Sequence, residues 1–157
     1  MRALILALAV VLVTIAPVSG NTAGPRAGDV TVETNKPFAT YVDALREAIR
    51  ENGFNIVGIA CANCAIKGAF QETVPGNRVF LFFRPDYARR MLKASLAAGI
   101  EAPIRLYVTE ASDSSAVVTY RLPSHIFGAY GVAELTAMGK ELDDHVAAIL
   151  DTAASKP

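Results

Sequence analysis

Apolar side chains recur along this chain at two periods, and the alternation between them lays out the elements. Over residues 37–51, Phe38, Tyr41, Val42, Leu45 and Ile49 fall on one face at helical spacing, with Arg46, Glu47, Arg50 and Glu51 on the other. Pro37 suits the first position of that helix, and Asn52-Gly53 ends it. Residues 30–34 alternate apolar and polar, as a strand does, and residues 54–60 read as a second strand weakened at Gly58. Small residues over 61–70 predict a short helix, and Pro75-Gly76 a turn. Residues 79–83 are apolar at every position, which predicts a central strand buried on both faces. Arg84-Pro85-Asp86 opens the next helix; its inner face is Tyr87, Met91, Leu92 and Ser95 or Leu96, and Gly99 ends it.

The last third is a hairpin followed by a helix. Ile104, Leu106 and Val108 point one way from their strand, and Arg105, Tyr107 and Thr109 the other. Asp113-Ser114-Ser115 is the turn, and Val118 and Tyr120 alternate with Val117, Thr119 and Arg121. Residues 123–131 show little periodicity and read as a connector. Residues 132–153 carry the stripe Leu135, Met138, Leu142, Val146 and Ile149. Helices and a sheet that each have one apolar face stack into a two-layer α+β domain, with an antiparallel or mixed sheet. With 157 residues and no internal repeat, one domain over residues 30–153 is expected, after a flexible polar stretch at 21–29.

The first 20 residues belong to none of this. Met1-Arg2 is a short positive start, residues 3–16 are apolar apart from Thr14, and Pro17-Val18-Ser19-Gly20 supplies small residues. That is the layout of a secretory signal peptide, cleaved after Gly20 or else Ala23. The run is too short for a spanning helix, so no membrane anchor is expected after cleavage, and the mature chain is placed in the periplasm or outside the cell. Lys+Arg and Asp+Glu both number 15, so there is no basic footprint for nucleic acid.

Export bears on Cys61-Ala62-Asn63-Cys64, since disulfides persist outside the cytoplasm. The pair sits at a strand-to-helix junction, where free amide groups favour a thiolate. Four readings stay open: a disulfide, a soft-metal site for Cu(I) or Zn, a thiol redox pair, and two inert core thiols. A metal needs more than two thiols. His125 in the connector is the better extra ligand. His145 on the outer flank of the closing helix reads as solvated, and Met91 and Met138 as core filler. The sequence around the cysteines lacks the thioredoxin pattern, and no His follows Cys64 as haem attachment would need. Arg105, Tyr107 and Arg121, with Thr109 and Thr119, share one hairpin face and are candidates for an anionic ligand or a dimer surface. Arg84, Arg89, Arg90 and Lys93 read as a solvated helix flank. There is no phosphate-cradling glycine loop, no Gly-x-Ser-x-Gly elbow and no paired-histidine zinc helix.

Several local motifs resemble the domain-of-unknown-function 302 family: Asn52-Gly53-Phe54, residues 79–83 running into Arg84-Pro85, Ala102-Pro103-Ile104-Arg105 before Val108-Thr109-Glu110, and Val118-Thr119-Tyr120 before Pro123-Ser124. The resemblance covers residues 30–153. It implies a compact α+β fold similar to half of a TATA-box-binding protein, often dimeric, and carries no catalytic residues. The export signal and the cysteine pair depart from the family pattern. The residues therefore suggest an exported, non-catalytic binding or accessory protein holding a soft metal or small ligand near Cys61 and Cys64. A periplasmic thiol–disulfide oxidoreductase using the same pair, or a structural homodimer in an envelope complex, are the alternatives.

Overall fold

The computed structural model describes residues 26–157; the expected signal peptide and cleavage sites lie outside them. The elements in order are β1 (Asp29–Pro37), α1 (Phe38–Glu51), β2 (Asn55–Ala60), α2 (Ala62–Phe70), β3 (Asn77–Phe83), α3 (Pro85–Ala94), a 3₁₀ turn (Ala97–Glu101), β4 (Ile104–Glu110), β5 (Ser115–Arg121), α4 (Pro123–Gly128) and α5 (Ala133–Ser155). The five strands form one sheet in the order β1-β5-β4-β3-β2, antiparallel at every pairing. It is a two-layer α+β fold, with α1, α3 and α5 on one side of the sheet.

Period two decides what each strand contributes. Phe80 and Phe82 of β3, Leu106 and Val108 of β4, and Ala116 and Val118 of β5 point into the helix layer and are fully buried. They meet Tyr41, Leu45 and Ile49 of α1 and the α5 stripe Leu135, Met138, Leu142, Val146 and Ile149. Fully burying each large apolar side chain contributes roughly 1.5–3 kcal/mol, so this single cluster carries the fold.

Three expectations are corrected. The strand at residues 79–83 is not buried on both faces. β4 is the central strand, and Val79, Leu81 and Phe83 are only half-buried, because among the described residues no helix covers that side of the sheet. Leu92 and Leu96 do not belong to the inner face of α3: Leu96 is 81% exposed, because the helix stops at Ala94 and the chain turns before it. The connector after β5 contains a helix, α4. Its first turn is held by the Ser124 amide donating to Asp143 Oδ1 at 2.9 Å. Of the stretch expected to be flexible, only its last residues are described. Asp29 begins β1, and Gly28 takes φ +82° beneath the His125 ring.

The α4–α5 crossing is close because Gly139 lets it be. A Cβ there would lie 2.8 Å from Ser124 Cα and 2.9 Å from the Pro123 carbonyl oxygen, both backbone atoms. Gly139→Ala should therefore cost ~1–3 kcal/mol by overpacking. Gly68→Ala, in an open position on α2 with nothing within 4 Å, should gain ~0.5–1 kcal/mol by helix propensity. Urea midpoints of the two variants moving in opposite directions are the check.

Candidate functional site

Cys61 and Cys64 are joined in a disulfide, with their Cα atoms 5.3 Å apart. Cys61 ends the run out of β2 and acts as the N-cap of α2. Its Sγ accepts a hydrogen bond from the Cys64 amide at 3.2 Å, so a sulfur fills the place a serine or aspartate oxygen usually takes. Cys64 is the more exposed residue of the two, and α2 has no buried residue at all. This helix is held to the domain through its first turn.

That turn is fixed by the start of β3. Asn77 Oδ1 accepts from the Ala62 amide at 3.0 Å, and Asn63 Oδ1 accepts from the Asn77 amide at 3.4 Å. Arg78 Nη1 donates to the same Asn63 oxygen at 2.7 Å, while its guanidinium lies over the Phe38 ring. Asn63 Oδ1 also sits 3.1 Å from Cys61 Sγ. Asn63 thus holds the Arg78 cation close to the disulfide turn. β3 is itself pinned at this end. The Gly76 amide donates to Glu110 Oε2 and the Glu110 amide to the Gly76 carbonyl, both at 2.8 Å. Gly76 must be glycine because Phe38 and Glu110 fill the space where a side chain would start.

The structure does not bring His125 to the cysteines. Register runs from Asn77 through Thr109 and Val117 to Glu33 at the cysteine end of the sheet. His125 follows β5 at the other end, beside Gly28. Six residues of strand separate the two ends, about 20 Å at ~3.3 Å per residue. His125 therefore does not share a site with Cys61 and Cys64 in this structure. Among the described residues, no three His, Cys, Asp or Glu side chains gather at a metal-sized site.

Arg105, Tyr107 and Arg121 do come together. All three sit on the uncovered sheet face and line one cavity of about 310 Å³ at the far end from the cysteines. Arg121 Nε pairs with Asp29 Oδ1 at 3.2 Å, and Arg105 has no ion-pair partner among the described residues.

A polar network between α3 and α5 escaped sequence reasoning, which took Arg84 and Arg90 for a solvated flank. Arg90 binds both oxygens of Glu141, at 2.6 and 3.0 Å, and reaches Glu134 at 2.8 Å. The Tyr87 hydroxyl donates to Glu141 at 3.1 Å. His145 is not solvated: its ring meets Phe54 and Tyr87 edge-on, and Nε2 lies 3.1 Å from the Tyr87 hydroxyl. Arg84 lies over Tyr87, with its guanidinium carbon 4.5 Å from the ring centre. The one available signal was the spacing of Glu134, Glu141 and His145, which places them along a single flank of α5.

An all-antiparallel sheet backed on one side by helices, with a capped disulfide turn at one end, defines a class of small α+β domain. The chain belongs to the family described as "Domain of unknown function DUF302", whose model matches residues 30–153. It is similar in fold to a crystal structure of an uncharacterized conserved DUF302 protein from Bacillus stearothermophilus. The TM-score is 0.72 at 17% identity, covering 81% of this chain and 98% of that one. No curated protein matches the chain.

Hydrogen bonds from Arg90, then from Tyr87, hold the Glu141 carboxyl below its ordinary range. A depressed carboxylate adds stability above its unfolded pKa and loses it as pH falls through the folded value. Glu141→Gln should therefore shrink the drop in urea midpoint between about pH 6 and about pH 3. An unchanged drop would remove Glu141 from the acid limb.

Proposed function

We propose that this is an exported DUF302 protein whose Cys61–Cys64 turn exchanges disulfides with external thiols. One observation carries the reading: Cys61 sulfur caps a helix while its partner Cys64 faces solvent. An incoming thiolate attacks Cys64 Sγ, the S–S bond breaks, and its electron pair leaves on Cys61. That leaving thiolate is stabilised by the Cys64 amide, by the N-terminal end of α2 and, at longer range, by the positive charge of Arg78, which is held at the same turn. A better leaving group speeds exchange. Cys61 then attacks the mixed disulfide to restore the pair, or a second external thiol releases the dithiol form.

Loop size supports exchange over stapling. A bridge three residues apart constrains the unfolded chain by only roughly 2 kcal/mol in the loop-entropy picture, against nearly 5 for a long loop. α2 buries nothing that such a staple would protect. Export supports the same reading, because a solvent-facing disulfide persists beyond the cytoplasm, and the apolar start of the chain has the layout of a signal peptide.

A binding role for the dithiol is the second reading, favoured by two sulfurs presented on one exposed turn. Such a pair suits two-coordinate Cu(I); zinc would need further ligands from a partner.

The test uses the chain from Asn21 onward. Rapid acid quenching during reduction by glutathione should trap the mixed disulfide on Cys64. In Cys64→Ser, the Cys61 thiol should titrate below the free value of about 8.5, and Arg78→Gln should move it back up. A pair that stays oxidised in buffers poised near −300 mV, roughly the range of structural disulfides, would sink the proposal.

A further inference from the structure

The cavity at the opposite end of the sheet is independent of the thiols, and its origin is a fork between two strands. β4 and β5 pair from Tyr107↔Thr119 to Glu110↔Ala116 and no further. Beyond that point β4 stays with β3, through Leu106↔Phe80, Leu81↔Arg105 and Phe82↔Ile104. β5 stays with β1, through Val30↔Tyr120 and Asp29↔Arg121. The central ladder opens while both outer ladders hold. Backbone groups directed across the fork have no strand partner there, although such groups are almost always satisfied when buried. Phe127 of α4 closes the base of the opening, 4% exposed, and Pro103 and Ile104 form a side wall. The resulting space of about 310 Å³ is at the small end for a ligand pocket.

The polar groups at its mouth carry both signs, Arg105 and Arg121 beside Asp29 and Glu101, but the carboxylates are hydrogen-bonded while Arg105 makes no ion pair among the described residues. Asp29 accepts from Arg121, and Glu101 Oε1 accepts from the Tyr130 hydroxyl at 3.0 Å. Arg105, directly across the fork from Arg121, makes no ion pair among the described residues, and Arg121 commits only Nε. The Tyr107 hydroxyl, which makes no hydrogen bond among the described residues, stands beside them on a residue 42% exposed. Two guanidinium forks over an apolar floor are suited to a planar anionic head on a small apolar body. We infer that the β4–β5 fork binds a small organic carboxylate, its head between Arg105 and Arg121 and its body against Ile104 and Phe127.

The probe is phenylacetate, with phenylacetamide as the uncharged control, titrated into the mature disulfide-bonded chain and followed by amide chemical shifts. Phenylacetate should shift Arg105, Tyr107, Thr119 and Arg121 saturably and leave the Cys61 turn unmoved, and phenylacetamide should bind at least tenfold more weakly. Arg105→Gln, an exposed substitution that spares the core, should weaken phenylacetate about tenfold, the size expected for losing a hydrogen bond to a charged group. Ile126→Trp, which fills the cavity from α4, should abolish the shifts. Three outcomes would overturn the site: no saturable shift, equal binding of acid and amide, or shifts over the whole open face that follow protein concentration and so report a second copy covering it.

Discussion

Alternation along β3 is the constraint from which the molecule follows. Phe80 and Phe82 face the helices and see no solvent, while Val79, Leu81 and Phe83 face the other way. One helix layer can cover only one side of a five-stranded sheet, so burying the phenylalanines leaves their neighbours on an open face. Both candidate sites are consequences of that one-sidedness. The cysteine turn hangs from the edge strand β2, where the sheet has no further strand to pair with. The fork opens onto the uncovered face, where no helix presses β4 and β5 together at their ends. On the helix side the two strands stay paired at Val108↔Val118 and Glu110↔Ala116, next to the hairpin rather than the fork.

How much of this could be read beforehand depended on whether a residue pattern carries direction. α1 and α5 were legible because their stripes state which face is buried, and every predicted stripe residue of α5 is in the core. The β4–β5 hairpin was legible for the same reason at period two. Residues 79–83 were not, since an all-apolar run says nothing about which side is covered. Leu96 fits a helical stripe in sequence, but the stripe extends past Ala94, where the helix itself ends, and Leu92, though inside α3, is exposed. α4 is six residues long, too short to show a period.

The sites divide along similar lines. Spacing placed Cys61 and Cys64 on one turn, and their linkage in a disulfide agrees with one of the four readings left open. The contribution of Asn63 was invisible, because it depends on Asn77 and Arg78 arriving from another strand. Likewise the shared face of Arg105, Tyr107 and Arg121 was plain from alternation. That the strands part between them was not, because the end of a ladder is set by what packs at its end. Phe127 and Pro103 line the opening here, and neither bears a local signal for a fork.

Distance then argues against a single composite site. A soft-metal centre built from both cysteines and His125 would have to span the length of a strand, about 20 Å by strand rise. Charge argues the same way. At the cysteine end, Arg78 is engaged by Asn63, which suits the proposed thiolate; at the fork, Arg105 makes no ion pair among the described residues, which suits the proposed anion. A thiolate that appears only on reduction and a carboxylate that is always charged make different demands on an arginine. The first needs it held one residue away, where it biases ionisation without blocking the sulfur. The second needs it free at the mouth of a cavity, where both nitrogens of its fork can be reached. The two ends of this sheet offer those settings separately, so the two proposed chemistries place no shared demand on one arginine.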